Sequence, residues 1–90
     1  MLQREIKVIN KSGLHARPAS SFVAEAGSYQ SNIYILKNDD RVNAKSIMGV
    51  MSAGIAQGTT ITLEADGSDE AEALDALTAL VESGFGESTI

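Results

Sequence analysis

The chain has 90 residues, 43% of them apolar and 21% charged, which is the usage of an ordinary folded domain and argues against a disordered chain. It has no cysteine, so disulfide staples, thiolate metal sites and cysteine nucleophiles are excluded. The net charge of −5 argues against a nucleic-acid partner, while all seven basic residues fall in residues 1–45 and residues 46–90 hold eight acids and no base, a distribution that suits an anionic ligand or an acidic partner on a modestly basic face.

Residues 2–8 alternate around Leu2, Ile6 and Val8, the pattern of a half-buried strand broken by Ser12-Gly13. From Ala16 to Gly27, the apolar residues Ala19, Phe22, Val23 and Ala26 recur at helical spacing, and Pro18 suits the first turn of that helix. Ile33–Lys37 predicts a strand, Asn38-Asp39 a turn, and Asp40–Ala44 the returning strand of a hairpin. Ser46 is placed to cap a short helix over Ile47–Ser52, which Gly49 weakens. After the Gln57-Gly58 turn, Ile61, Leu63 and Ala65 alternate with polar residues over Thr60–Asp66. In the last helix Asp69 and Glu72 read as a capping pair, Leu74, Leu77 and Val81 line one face beside Leu80, and Gly84 is a stop with a frayed tail beyond it. The order β-α-β-β-α-β-α predicts an α+β fold over residues 1–90, a sheet with helices packed on one face.

His15 stands where a glycine-broken loop meets the first helix, in Gly13-Leu14-His15-Ala16-Arg17-Pro18. Open amides at a helix start and the helix dipole favour an anion there. Pro18 has no N–H, so the useful amides belong to Ala16 and Arg17, and the Arg17 guanidinium offers a planar fork to phosphate oxygens. A ring nitrogen, a guanidinium and open amides are what a phosphorylated histidine needs, although a surface or capping histidine has the same local sequence. With one histidine and no carboxylate near it, a metal site is not expected, and nothing marks a Ser-His-Asp arrangement. In Lys45-Ser46-Ile47-Met48-Gly49-Val50-Met51-Ser52, the serine reads either as a plain cap or as a phosphate site that a helix start tolerates. Ile47, Met48 and Met51 read as core or as an adaptable interface, with one of the three expected to be exposed.

At Gly13-Leu14-His15-Ala16-Arg17-Pro18-Ala19 the chain resembles the active-site signature of HPr, the histidine phosphocarrier family of the bacterial phosphoenolpyruvate:sugar phosphotransferase system. Lys45–Ser52 resembles the regulatory-serine segment of the same family, and the resemblance spans nearly the whole chain. It implies an open-faced β-sandwich, a four-stranded antiparallel sheet with three helices on one face, and that His15 accepts phosphate on Nδ1 from enzyme I and passes it to sugar-specific enzyme IIA components, with Arg17 steadying the phosphoryl group. It also implies that Ser46 is a target of HPr kinase/phosphorylase, that a catabolite-control transcriptional regulator is a partner, and that no cofactor is needed. Leu14, Ser20, Lys45, Ile47, Met48 and Met51 would form the docking patch of a carrier that is not itself an enzyme. Ser20 stands where some relatives carry alanine, Ala24 and Gly27 lack lysines some relatives have, and Gln57 replaces a lysine found in some.

Other readings are a paralogue in a nitrogen-related regulatory phosphorelay, which the Ser46 segment disfavours, and a serine-only regulatory homologue, which His15 disfavours. A small α+β ligand-binding or structural module is the remaining one. The opening MLQREIKV, charged at Arg4, Glu5 and Lys7, does not read as a secretory signal. The least polar run, Ile47 to Ala56, is far shorter than the roughly 20 residues of a membrane span. A cytoplasmic monomer is the expectation.

Overall fold

The computed structural model describes residues 1–87. In order it contains β1 (Leu2–Lys7), α1 (Ala16–Gly27), β2 (Asn32–Lys37), β3 (Asp40–Asn43), α2 (Ile47–Ser52), β4 (Thr60–Asp66), α3 (Glu70–Glu82) and a 3₁₀ turn over Gly84–Gly86. This is the β-α-β-β-α-β-α order that the patterning predicts, with strand ends within a residue or two of expectation.

The four strands form one antiparallel sheet in the spatial order β1-β4-β2-β3. Period-two alternation decides which face of β4 meets the helices: Ile61, Leu63 and Ala65 are buried, with Ile6, Ile33 and Ile35 from its neighbours. The helices cover them with Ala19, Phe22 and Ala26 of α1, Val50 of α2, and Ala73, Leu74, Leu77 and Val81 of α3. Phe22, fully buried, alone contributes about 1.5–3 kcal/mol by leaving water. The other face of the sheet is open. There Glu64 is nearly buried by Gln3 and Arg41, each bonding one carboxylate oxygen at 2.9 Å, while Arg41 also lies over the Tyr34 ring at 3.9 Å. The β2–β3 hairpin closes on Asn38, whose φ of +55° asparagine tolerates better than most residues.

Three expectations are corrected. Leu2, at the end of edge strand β1, is 40% exposed, while Arg4 on the same face bonds Asp75 of α3 at 2.8 Å. The Asp69–Glu72 capping pair does not form: Asp69 makes no cap bond and instead accepts from the Gln30 and Ser31 amides at 2.8 and 2.9 Å and from the Ser31 hydroxyl. Glu70 takes over locally, its carboxylate accepting from the Gly67 amide at 3.1 Å. Gly84 does follow the helix end, in the left-handed region, but residues 85–87 are not frayed. Phe85 packs against the core and Glu87 bonds Asn10 and Ser12. Residues 88–90 of the expected frayed tail lie outside the described residues.

Candidate functional site

Beyond β1, Val8 still donates to the Thr59 carbonyl at 2.9 Å, and the chain then turns back on itself. The Gly13 amide donates to the Asn10 carbonyl at 3.1 Å, and the wholly buried Asn10 side chain donates to the Gly13 carbonyl at 2.8 Å. Gly13 has φ +63°, and a Cβ there would stand 2.2 Å from the Ile55 carbonyl oxygen. Conformation and close approach therefore both demand glycine. The Leu14 amide donates to that same Ile55 carbonyl at 2.9 Å. Leu14 itself is 1% exposed, which corrects its expected place on the docking surface: it is a plug beneath the loop, and its burial holds the next residue outward.

That next residue is His15, the N-cap of α1, with extended backbone (φ −138°, ψ 154°), an exposed side chain and no side-chain cap bond. Its ring is thus left open. Ala16 follows at φ +54°, a left-handed conformation that costs an alanine about 1–2 kcal/mol. The amides of Ala16 and Arg17, at the first two helical positions, have no carbonyl one turn back within the helix. Arg17 is exposed and makes no hydrogen bond or ion pair among the described residues. Pro18 is buried in the first turn, where its missing N–H does no harm. Ser20 is exposed on the same helix.

The Lys45–Ser52 segment folds as its residues direct. Ser46 caps α2, its Oγ accepting from the Gly49 amide at 3.1 Å. A Cβ on Gly49 would crowd that Oγ at 3.3 Å, which explains a glycine inside so short a helix. At the other end the Lys37 ammonium donates to the Ala53 and Gly54 carbonyls at 3.0 and 3.1 Å, where a cation suits a helix C-terminus. Val50 alone in α2 is buried; Met48 is 77% exposed and Ile47 and Met51 are 37% exposed, so all three rather than one reach the surface.

α2 packs against α1 with Ile55, just past its end, against the histidine loop. The opposite end is marked by Lys45, whose ammonium donates to the Tyr29 carbonyl at 2.7 Å beyond the end of α1. Twelve residues of α1 span about 18 Å, so Lys45 is held away from His15 and does not share a patch centred on it. Ile47, Met48 and Met51 remain as the exposed large apolar residues of α2. Gln57 donates to the Ile9 carbonyl at 3.0 Å. Asn10, Ser12, Ile55 and Glu87 shape this site without having been visible in the motif, because they come from three separate parts of the chain. Among the described residues no three His, Asp or Glu side chains gather where they could hold a metal ion, and no helix is long and apolar enough to cross a membrane.

The sequence profile described as the PTS HPr component phosphorylation site matches residues 2–83. The chain belongs to the HPr family. The phosphocarrier protein HPr of Neisseria meningitidis serogroup A is 53% identical over 87 residues, covering 97% of this chain and 98% of that one. The crystal structure of HPr from Thermoanaerobacter tengcongensis superposes with a TM-score of 0.95 at 51% identity, covering 98% of this chain and 99% of the other. Crh of Bacillus subtilis, a catabolite-repression protein described as a swapped dimer, superposes at 0.75 with 48% identity over 92% of this chain and 95% of its own. The fold is therefore the HPr fold, and the loop carrying His15 and the capped helix α2 are the two segments in which the HPr resemblance was first visible.

Proposed function

We propose that this chain is a phosphoryl carrier that takes phosphate from enzyme I onto Nδ1 of His15 and passes it to sugar-specific enzyme IIA components. One observation carries the reading: His15 caps α1 with its ring unbonded and exposed, at the helix start that also holds the open amides of Ala16 and Arg17 and the exposed Arg17 guanidinium. An incoming phosphoryl group finds amide and guanidinium donors at this helix start and no carboxylate in the first turn. Arg17 steadies the charge, while Ile47, Met48 and Met51, with Ser20 at the margin, supply an apolar surface on which successive partners dock. The chain carries phosphate rather than catalysing a reaction of its own, and needs no cofactor. It works in the cytoplasm as a single-domain monomer, its exposed large apolar residues being few and mostly committed to the docking face.

Ser46 is the regulatory site of this reading, modified by HPr kinase/phosphorylase and linked to carbon catabolite control. The presence of His15 favours the sugar carrier over a serine-only homologue.

Incubation with enzyme I and labelled phosphoenolpyruvate tests the proposal. The label should enter at His15 as a phosphoramidate stable in base and labile in acid, on a species that gel filtration sizes as a monomer. His15→Ala should take no label while keeping its circular dichroism, and normal labelling of that variant would overturn the assignment.

A further inference from the structure

Polar groups far apart in the sequence converge beneath the histidine loop. One carboxylate oxygen of Glu87, Oε1, accepts from Asn10 Nδ2 at 3.0 Å, from the Ser12 amide at 3.3 Å and from the Ser12 hydroxyl. The same Asn10 Nδ2 holds the Gly13 carbonyl at 2.8 Å, so one buried amide joins the carboxylate to the turn. Asn10 Oδ1 is buried with no partner among the described residues. An unpaired buried acceptor is costly, and packing alone would favour an apolar side chain at this position. What asparagine adds is the shape of the turn.

Glu87 is delivered to this point by a built element. The 3₁₀ turn after α3 holds Gly84, Phe85 and Gly86 in left-handed conformations, and Phe85 packs against the core. All three Glu87 bonds end on residues 10–12, one residue before Gly13, and Gly13 leads through Leu14 into His15 and the strained Ala16. We propose that Glu87 is a positioning residue for phosphoryl transfer: its carboxylate clamps the turn over residues 10–13 and so fixes the backbone that presents His15 and the amides of Ala16 and Arg17. The clamp rests on the reading of His15 as phosphoryl acceptor. Misplacing a reacting group slightly lowers the rate without changing how partners bind, so the clamp acts on turnover rather than on docking.

The test uses the full chain with Glu87→Ala, Glu87→Gln, Ser12→Ala and the Ser12→Ala/Glu87→Ala double variant as acceptors from enzyme I. Glu87→Ala should lower kcat about tenfold with KM unchanged, because Ile47, Met48 and Met51 are untouched. The double variant should be no slower than the slower single one, since both remove the same clamp. A parent kcat in Glu87→Ala, a loss confined to KM, or losses that multiply would each overturn the proposal. Glu87→Gln keeps the size of the side chain and serves if alanine loosens the fold. Should the parent chain take no phosphate, the His15 reading fails by itself, and the clamp is then judged on the unphosphorylated protein. There, Glu87→Gln should speed amide hydrogen exchange at Gly13 and Leu14, whose amides bond the Asn10 and Ile55 carbonyls, by about tenfold; unchanged exchange at those amides would overturn it.

Discussion

Arg4, Lys37, Arg41 and Lys45 each bond a carboxylate or a carbonyl, whereas Arg17 makes no hydrogen bond or ion pair among the described residues. Lys7 and Lys11 share that freedom, but only Arg17 stands at the helix start beside His15. The Glu87 carboxylate feels the Arg17 charge, but a guanidinium with no hydrogen bond there is suited to meet a phosphate with two parallel donors, which a lysine ammonium cannot reproduce. Arg17→Lys should therefore slow phosphoryl transfer about tenfold or more, equivalent to about 1.4 kcal/mol, while the melting temperature stays put because the side chain is exposed. Transfer at the parent rate would make Arg17 an ordinary surface charge. Both residues were legible in the sequence because the glycine break, the histidine and the arginine are adjacent. Glu87 was not: it meets Asn10 across 77 positions, and only the left-handed turn after α3 brings it there.

In the short helix α2 a local capping rule and the proposed regulatory switch fall on one serine. Ser46 Oγ already accepts from the Gly49 amide, so a carboxylate or phosphate at this position keeps a partner and gains the positive end of the helix. Six residues span about 9 Å, which separates Ser46 from the end of α2 nearest the histidine loop. A charge at Ser46 thus reaches transfer through the docking of partners over Ile47 and Met48, not by reshaping the loop. For Ser46→Asp we expect an unchanged or slightly higher melting temperature together with a KM for enzyme I raised about tenfold or more. A variant that melts early would leave Ser46 as a cap only, and an unmoved KM would put it outside the docking surface. The cap was readable because it depends on residues three apart. Asp69 obeyed a different logic: spacing pointed to Glu72, but the Gln30 and Ser31 amides at the start of β2 offered its carboxylate more donors, and tertiary contacts won.

Across the whole molecule, alternation and helical periodicity were enough to predict the element order and the helix-facing side of the sheet, since burial repeats along each element. The joints between elements were not predictable in this way, and several of them are carboxylates. Asp69 ties the start of α3 to the start of β2, and Glu87 ties the end of the chain to the histidine loop. The Ser31 hydroxyl, followed by the Gln30 amide, holds the Asp69 carboxyl below the usual range. Glu87 is held low chiefly by Asn10, and Glu70 chiefly by the Gly67 amide. A carboxyl whose folded pKa is depressed binds its proton more readily in the unfolded chain, so its stabilisation is present at neutral pH, above the unfolded value. That stabilisation is lost as the pH falls below the usual carboxylate range of roughly 4 and through the depressed folded value. The chain should consequently melt at lower temperature in acid, with its joints opening as the acids protonate. Asp69→Asn isolates one joint, because the amide keeps the shape but loses the charge and an acceptor. At pH 7 the variant should melt several degrees below the parent. Toward pH 2 the two melting temperatures should converge, since the parent then carries a protonated Asp69 and has lost the same advantage. A gap of the same size at both pH values would show that the Asp69 contacts with Gln30 and Ser31 stabilise the fold through packing alone and not through the carboxylate charge.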